Sequence, residues 1–170
     1  MKKIVAAVLI CLFIAGCTKE KPPEGPYGLW KGMNRKDINL CCQVEKTGRI
    51  SQTAQASRNA SVMKLATVPR PDELFRSYYV HFTAADGVFA VTSSTGPIPL
   101  VQARDAFDQT VQNLINEHGY PTSEEQNGNL IWDRPISRSG ISRIIIALQS
   151  SHDNSVVLLF YLFDNNRTYN

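Results

Sequence analysis

The chain has 170 residues, of which 43% are hydrophobic and 19% are charged. That length suits one compact domain or two very small ones, and the composition excludes an intrinsically disordered chain. The formal net charge is +3, from 18 basic and 15 acidic residues. If Lys2 and Lys3 are removed with an N-terminal signal, 16 basic residues face 15 acidic ones. A chain so close to neutrality lacks the basic surface on which nucleic-acid binding depends.

The first residues have the pattern of an export signal. Lys2 and Lys3 are followed by an uncharged, mostly aliphatic run over residues 4–15. A helix that spans a bilayer needs about 20 apolar residues, so this run is too short to stay in the membrane as a span. The pattern therefore predicts a signal peptide over residues 1–16.

The end of this segment carries a second signal. Ile14-Ala15-Gly16-Cys17 resembles the lipobox of bacterial lipoproteins. The resemblance implies that the Cys17 thiol is diacylated and that the new N-terminal amine is acylated after cleavage. Several acyl chains hold a protein on a membrane almost permanently. Thr18, in place of Asp, resembles the signal for the outer membrane, so we expect an anchored protein facing the periplasm. The alternative is an ordinary secretory signal in which Cys17 occurs by chance.

The rest of the chain is predicted to contain a tether and two similar units. Residues 17–28 are rich in Pro, Gly and charge and form the predicted tether. The first unit, residues 29–93, is predicted to hold a helix over 34–46 and strands over 63–68, 77–83 and 88–93. A Pro- and Gly-containing joint over 94–102 leads to the second unit, residues 103–170. That unit is predicted to hold a helix over 103–118 and strands over 130–132, 142–149 and 155–163.

Local signals support the two helices. Asn34 can cap the first helix, with Asp37 at the capping-box position, and Gly48 is a plausible end. In the second helix four apolar residues recur on one face, and Gly119 followed by Pro121 ends it. The predicted core consists of Ile38, Leu65, Val80, Phe82, Phe107, Val111, Leu114, Ile115, Ile144, Ile146, Leu158 and Phe160.

This order of elements, a helix and then three strands, occurs twice and predicts an α+β fold with helices packed on one side of an antiparallel sheet. Residues 28–38 (GLWKGMNRKDI) resemble the opening of β-lactamase-inhibitor-protein-like domains and of SmpA/OmlA small lipoproteins. Residues 118–121 (HGYP) resemble the helix ending in such units. The resemblance implies a tandem pair of these domains and a role in envelope assembly or in inhibition.

Two adjacent cysteines, Cys41 and Cys42, remain in the mature body. On a continuous helix, adjacent side chains point about 100° apart, so the two thiols diverge. We therefore predict that they do not bridge each other and bind no metal, but act as small apolar residues beside Ile38. A redox or metal pair and an intermolecular disulfide are the alternatives.

Catalytic signals are weak. The histidines are His81, His118 and His152, and the sequence contains no nucleophile elbow, zinc-protease, P-loop or dinucleotide-binding motif. His118 at the end of a helix is sufficiently explained by the helix dipole. The sequence therefore predicts a non-enzymatic protein with no cofactor and no metal. A hydrolase acting on envelope material, with His81 or His118 essential, is the alternative of another class.

The strands suggest a surface for a partner. Residues 156–163 are apolar on both faces, so either helices or the other unit cover the second face, or a protein partner does. The expected function is a membrane-anchored periplasmic lipoprotein that binds a protein partner through a sheet face; an inhibitor or immunity protein against a periplasmic or incoming enzyme is the alternative. The candidate contact residues are Tyr79, Trp132, Arg134, Arg143 and Tyr161, with Arg138 nearby.

Overall fold

A computed structural model describes residues 25–45, 60–135, 140–151 and 153–164. The predicted signal peptide, the Cys17 anchor, Gly48, Arg138 and His152 lie outside the described residues. A short 3-10 turn, Pro26–Gly28, precedes the main elements. The helices and strands are α1 (Arg35–Cys41), β1 (Ser61–Leu65), β2 (Ser77–Thr83), β3 (Gly87–Ser94), α2 (Leu100–His118), β4 (Ser123–Glu124), β5 (Leu130–Asp133), β6 (Ile141–Ser150) and β7 (Ser155–Phe163).

The described strands form one seven-stranded sheet in the order β1-β2-β3-β7-β6-β5-β4. All neighbouring strands are antiparallel. Strands β1 to β3 form one meander, β4 to β7 form another, and the two meet where β3 pairs with β7. The predicted mixed α+β class is therefore confirmed.

The two faces of this sheet differ in what packs on them. One face belongs to a core cluster that also contains Ile38 of α1 and Ala103 and Leu114 of α2, and we call it the covered face. Its buried strand residues include Leu65, Tyr78, Val80, Val91, Trp132, Ile144, Ile146, Val157 and Leu159. Because side chains alternate along a strand, the residues between them form the opposite face, which we call the open face.

Helix α1 begins as predicted but ends earlier. Asn34 Oδ1 accepts hydrogen bonds from the Lys36 and Asp37 amides at 2.8 and 3.2 Å, and Asp37 Oδ2 accepts one from the Asn34 amide at 2.9 Å. The predicted end at residue 46 is wrong because Cys42 has an extended backbone. Val44 then bridges Leu65 at the outer edge of β1. Strand pairing at a sheet edge has overridden local helix propensity.

Helix α2 also differs from its predicted form. It begins at Leu100 rather than at residue 103, and its fully buried stripe consists of Ala103, Ala106, Thr110 and Leu114. The larger Phe107, Val111 and Ile115 lie beside this stripe, partly buried against the core. Three of these four buried residues are small, which allows the helix backbone to approach the sheet closely.

The segment before α1 is part of the folded body. We call residues 25–33 the N-terminal strap. Tyr27, which the sequence prediction placed in the tether, is buried, as are Leu29 and Met33. Gly32 N donates to Val88 O and Val88 N donates to Met33 O, both at 2.9 Å. The strap therefore crosses the start of β3, and the folded body includes residues 25–28, before the predicted boundary at residue 29.

Within the described ranges, the chain contains no helix with the length and apolar character needed to cross a membrane.

Candidate functional site

The open face of the sheet carries large apolar side chains on both sides of β3. The strand register places Tyr79, Thr92, Phe160, Ile145 and Ile131 in one row across β2, β3, β7, β6 and β5. Tyr79, Phe160 and Ile145 are partly exposed. Among the described residues, none of these five belongs to the core cluster that the helices cover.

Side-chain length varies across the centre of this face. Strand β3 contributes the small residues Ala90, Thr92 and Ser94 to it, and Phe89, at the bulge of β3, lies beside His81. On one side β7 presents Leu158, Phe160 and Leu162. The other side is formed by Tyr79 and His81 of β2. We infer that these short side chains, between two rows of long ones, leave a furrow one strand wide with the Thr92 and Ser94 hydroxyls in its floor.

The polar groups of the furrow are already engaged. His81 Nε2 lies 2.9 Å from Thr92 Oγ1, and the His81 ring lies 6.2 Å from the Phe89 ring. Ser94 Oγ accepts a hydrogen bond from the Gly96 amide at 3.1 Å. Burial lowers the pKa of His81 below its ordinary value, so the neutral imidazole is favoured near neutral pH. The furrow is therefore uncharged under these conditions.

Two described cations at the edges of the open face, Lys64 and Arg143, are paired. Lys64 Nζ lies 2.7 Å from Glu45 Oε2, and this hydrogen-bonded contact raises the pKa of Lys64. Arg143 Nε lies 2.6 Å from Asp133 Oδ1, directly across from it on the neighbouring strand. Both cations have an anionic partner within the chain. The apolar face is therefore bordered by ion pairs whose charges cancel.

The five candidate contact residues do not form one surface. Tyr79 and Arg143 lie on the open face. Arg134 follows the end of β5, exposed and with a φ of +52°. Trp132 is 1% exposed on the covered face, where its Nε1 donates to Gly119 O at 2.7 Å. Tyr161 also lies on the covered face, its ring centroid 6.0 Å from that of Tyr27.

Trp132 and Tyr161 therefore pack on the covered face, away from Tyr79 and Arg143. Conversely, Leu158 and Phe160 were expected in the core but lie on the open face. Alternation along residues 155–163 identified two sets of side chains, yet both sets are apolar. The packing of α2 on the sheet shows which of the two sets the helices cover.

A second cluster of reactive side chains lies at the end of α1. Cys41 Sγ and Cys42 Sγ are 3.2 Å apart. The sequence argument that these thiols diverge fails, because the helix ends between them and Cys42 adopts an extended backbone. Burial, followed by the neighbouring Cys41 thiol, raises the pKa of Cys42 to about 12.

The remaining reactive groups are dispersed. Within the described part of the chain, no three His, Cys, Asp or Glu side chains are grouped closely enough to hold a metal ion. His81 lies on the open face, whereas His118 lies in the last turn of α2, 3.5 Å from Glu117. The structure does not bring these two histidines together.

The chain matches no protein-family model, no curated protein and no solved structure.

Proposed function

We propose that this protein is a non-enzymatic lipoprotein, anchored through Cys17 at the periplasmic side of the outer membrane, that binds a protein partner through the open face of its sheet. The observation that carries the proposal is the row of apolar side chains on that face, from Tyr79 through Phe160 to Ile145, which lies outside the helix-covered core. Partly exposed apolar side chains grouped on one face are typical of protein interaction sites.

The chemistry of the open face favours one class of occupant. Among the described residues, the border cations Lys64 and Arg143 are paired within the chain, and the furrow is neutral. Electrostatic attraction therefore contributes little to binding, and shape and apolar burial contribute most. We infer a folded protein partner that presents a convex apolar surface, with protruding side chains that fit between the β2 and β7 rows.

The order of the strands supports a further part of the proposal, a tandem pair of inhibitor-protein-like units. A helix followed by three strands, β1 to β3, precedes a longer helix followed by four strands, β4 to β7, of which β4 has only two residues. The last strands of the two sets, β3 and β7, pair at the centre of the sheet. This arrangement would be expected if two similar units joined edge to edge.

The anchor is tested separately from the face. Cells expressing the full chain are labelled with palmitate and fractionated, in parallel with cells expressing Cys17→Ala. We expect label and membrane association for the first and loss of both for the second. The Thr18→Asp variant should move the protein to the inner membrane. An unlabelled, soluble wild-type protein would contradict the lipoprotein proposal.

The face is tested by photo-crosslinking in cells. A photoreactive residue replaces Tyr79 or Ile145 on the open face, or Gln109 on the exposed side of α2 as the control. We expect one and the same protein to be captured from the two sheet positions and not from Gln109. Phe160→Glu should abolish that capture, whereas the matched Gln109→Glu should not. Capture of the same protein from all positions, or from Gln109 alone, would exclude the open face as the interface.

The identity of the captured protein separates the two binding roles. An envelope-assembly role predicts an integral membrane protein that co-purifies with the lipoprotein. An inhibitor or immunity role predicts an enzyme whose rate falls to zero when the purified lipoprotein is added. Turnover of envelope substrates by the purified lipoprotein itself would contradict both roles.

A further inference from the structure

The paired thiols at the end of α1 have an arrangement that a continuous helix would not give. The Cys42 amide donates to Ile38 O at 2.8 Å and closes the last turn of α1, after which the backbone becomes extended. This change of direction brings Cys42 Sγ to within 3.2 Å of Cys41 Sγ. The two sulfur atoms already lie side by side, so little motion separates them from bonding distance.

We propose that Cys41 and Cys42 form a redox modification site, a dithiol that a disulfide-donating oxidant converts reversibly into a Cys41–Cys42 disulfide. In the first step the Cys41 thiolate attacks a sulfur of the oxidant and releases one thiol. In the second step Cys42 Sγ attacks Cys41 Sγ in this mixed disulfide and releases the other thiol. The chain loses two protons and two electrons, and the disulfide of the oxidant becomes two thiols.

The order of the steps follows from exposure. Cys41 is partly exposed, whereas Cys42 is buried in the core cluster. An oxidant in solution therefore reaches Cys41 first. The raised pKa of Cys42 opposes its direct reaction with the oxidant, because the thiolate is the nucleophile in exchange. The second step occurs within the chain, and the short distance between the two sulfur atoms compensates there for the small fraction of Cys42 thiolate.

The disulfide formed in this way should be easily reduced. Adjacent Cα atoms across a trans peptide are about 3.8 Å apart, whereas disulfide-linked residues usually have Cα atoms about 4.4–6.8 Å apart. A bridge at this site is therefore strained, and strained disulfides are the more oxidising, labile ones. We expect a switchable modification and not a permanent structural bond.

The site lies next to the edge of the sheet. Directly after Cys42, Gln43 O accepts a hydrogen bond from the Ala66 amide at 2.7 Å, and the Glu45 amide donates to Lys64 O at 3.1 Å. Closing the ring at Cys41 and Cys42 changes the backbone immediately before these contacts. Oxidation is thus placed to alter how residues 43–45 cover the edge of β1.

The experiment uses the full chain in detergent, equilibrated in glutathione buffers from fully reducing to fully oxidising. Samples are acid-quenched, alkylated and digested with trypsin. Cleavage after Lys36 and Lys46 gives a peptide with both thiols and no other cysteine. In reducing buffer we expect a doubly alkylated peptide. In oxidising buffer we expect an unalkylated peptide that is two hydrogen atoms lighter than the same peptide with two free thiols. Reduction should restore the doubly alkylated form completely.

Two variants control for the order of reaction. In Cys42→Ser, oxidation should stop at the glutathione adduct on Cys41. In Cys41→Ser, Cys42 should remain largely unmodified and become alkylated once the chain is unfolded. A wild-type peptide that stays doubly alkylated throughout, that ends with glutathione adducts, or that appears in disulfide-linked dimers would overturn the proposal.

Discussion

The hydroxyl oxygens of Tyr27 and Ser93 lie 2.6 Å apart in the core, although 66 positions separate the two residues. This contact joins the N-terminal strap to β3, whose neighbouring residues Thr92 and Ser94 form the floor of the furrow on the other side of the sheet. Burial raises the pKa of Tyr27 well above its ordinary value, so its phenol remains protonated. The strap is thereby attached to the strand at the centre of the proposed interface.

Removing the Tyr27 hydroxyl should destabilise the fold. Tyr27→Phe takes away the phenolic partner of Ser93, which is fully buried. We expect the free energy of unfolding to fall by about 1–3 kcal/mol in urea denaturation. Tyr120→Phe is the matched control, because Tyr120 is exposed, and should change stability by less than about 0.5 kcal/mol. Equal effects of the two variants would contradict the importance of this contact.

The buried stripe of α2 predicts a position-dependent loss. Leu114 is buried, whereas Val101 on the same helix is 71% exposed. Leu114→Ala should lower the free energy of unfolding by about 2–5 kcal/mol, through lost burial and a residual cavity. Val101→Ala should change it by less than about 0.5 kcal/mol. A loss for Leu114→Ala as small as that for Val101→Ala would mean that α2 does not bury this side.

Two glycines allow backbone strain to be separated from steric clash. Gly87 and Gly96 have φ values of +68° and +73°, which non-glycine residues rarely adopt. A Cβ at Gly96 would meet nothing within 4 Å, but one at Gly87 would lie 2.4 Å from Gly32 O in the strap. Gly96→Ala should therefore cost about 1–2 kcal/mol, from backbone strain alone.

Gly87→Ala should cost clearly more than Gly96→Ala, because the strap must also move away from the start of β3. Hydrogen exchange provides the second measurement. The Gly32 and Val88 amides should lose protection in Gly87→Ala and keep it in Gly96→Ala, since these amides bond strap to strand. Similar stabilities of the two variants would show that the strap yields without cost.

The buried His81 predicts a pH dependence of stability. Its pKa in the folded protein lies below the ordinary value of 6.5, because burial disfavours the charged ring. The unfolded chain therefore binds the proton first as pH falls. The stabilising contribution is fully present above about pH 6.5 and is lost as pH falls through the folded-state pKa. Between pH 7.5 and 5, urea midpoints should fall more for the wild type than for His81→Gln. Equal shifts of the urea midpoint in the wild type and in His81→Gln would contradict the lowered pKa of His81.

Salt should have little effect on the proposed interface. With Lys64 and Arg143 paired within the chain, binding to the captured partner should weaken only slightly between low and high ionic strength. Affinity measured at several salt concentrations tests this prediction. A strong salt dependence would indicate a charged interface elsewhere on the molecule.

Some elements were predictable from the sequence because their determinants are local. The bounds of β2 and β7 agree with the predicted ranges, and the capping box of α1 is present. The end of α1 was not predictable, because it depends on pairing of Val44 with Leu65. The covered side of β7 was not predictable either, because both its faces are apolar and the choice depends on α2.

The residues that contact a partner were harder to predict from the sequence than the helices and strands. Trp132 has the composition of an interface anchor, but its indole is fixed by Gly119 O at the end of α2. The residues that form the furrow wall opposite β2, Leu158, Phe160 and Leu162, became distinguishable only through their register with β3. Residue type indicated that some sheet surface would be apolar, and tertiary pairing determined which one.

The seam between β3 and β7 has a consequence for the folding kinetics. Within each meander, successive described strands pair with near neighbours in the chain, but Ser94 pairs with Leu158 across α2 and three other strands. Closing so long a loop is slow, because chain entropy is lost before the contacts form. We expect each half to collapse early and the seam to form late. The furrow, whose floor and one wall lie on opposite sides of the seam, would then be among the last features to appear during refolding.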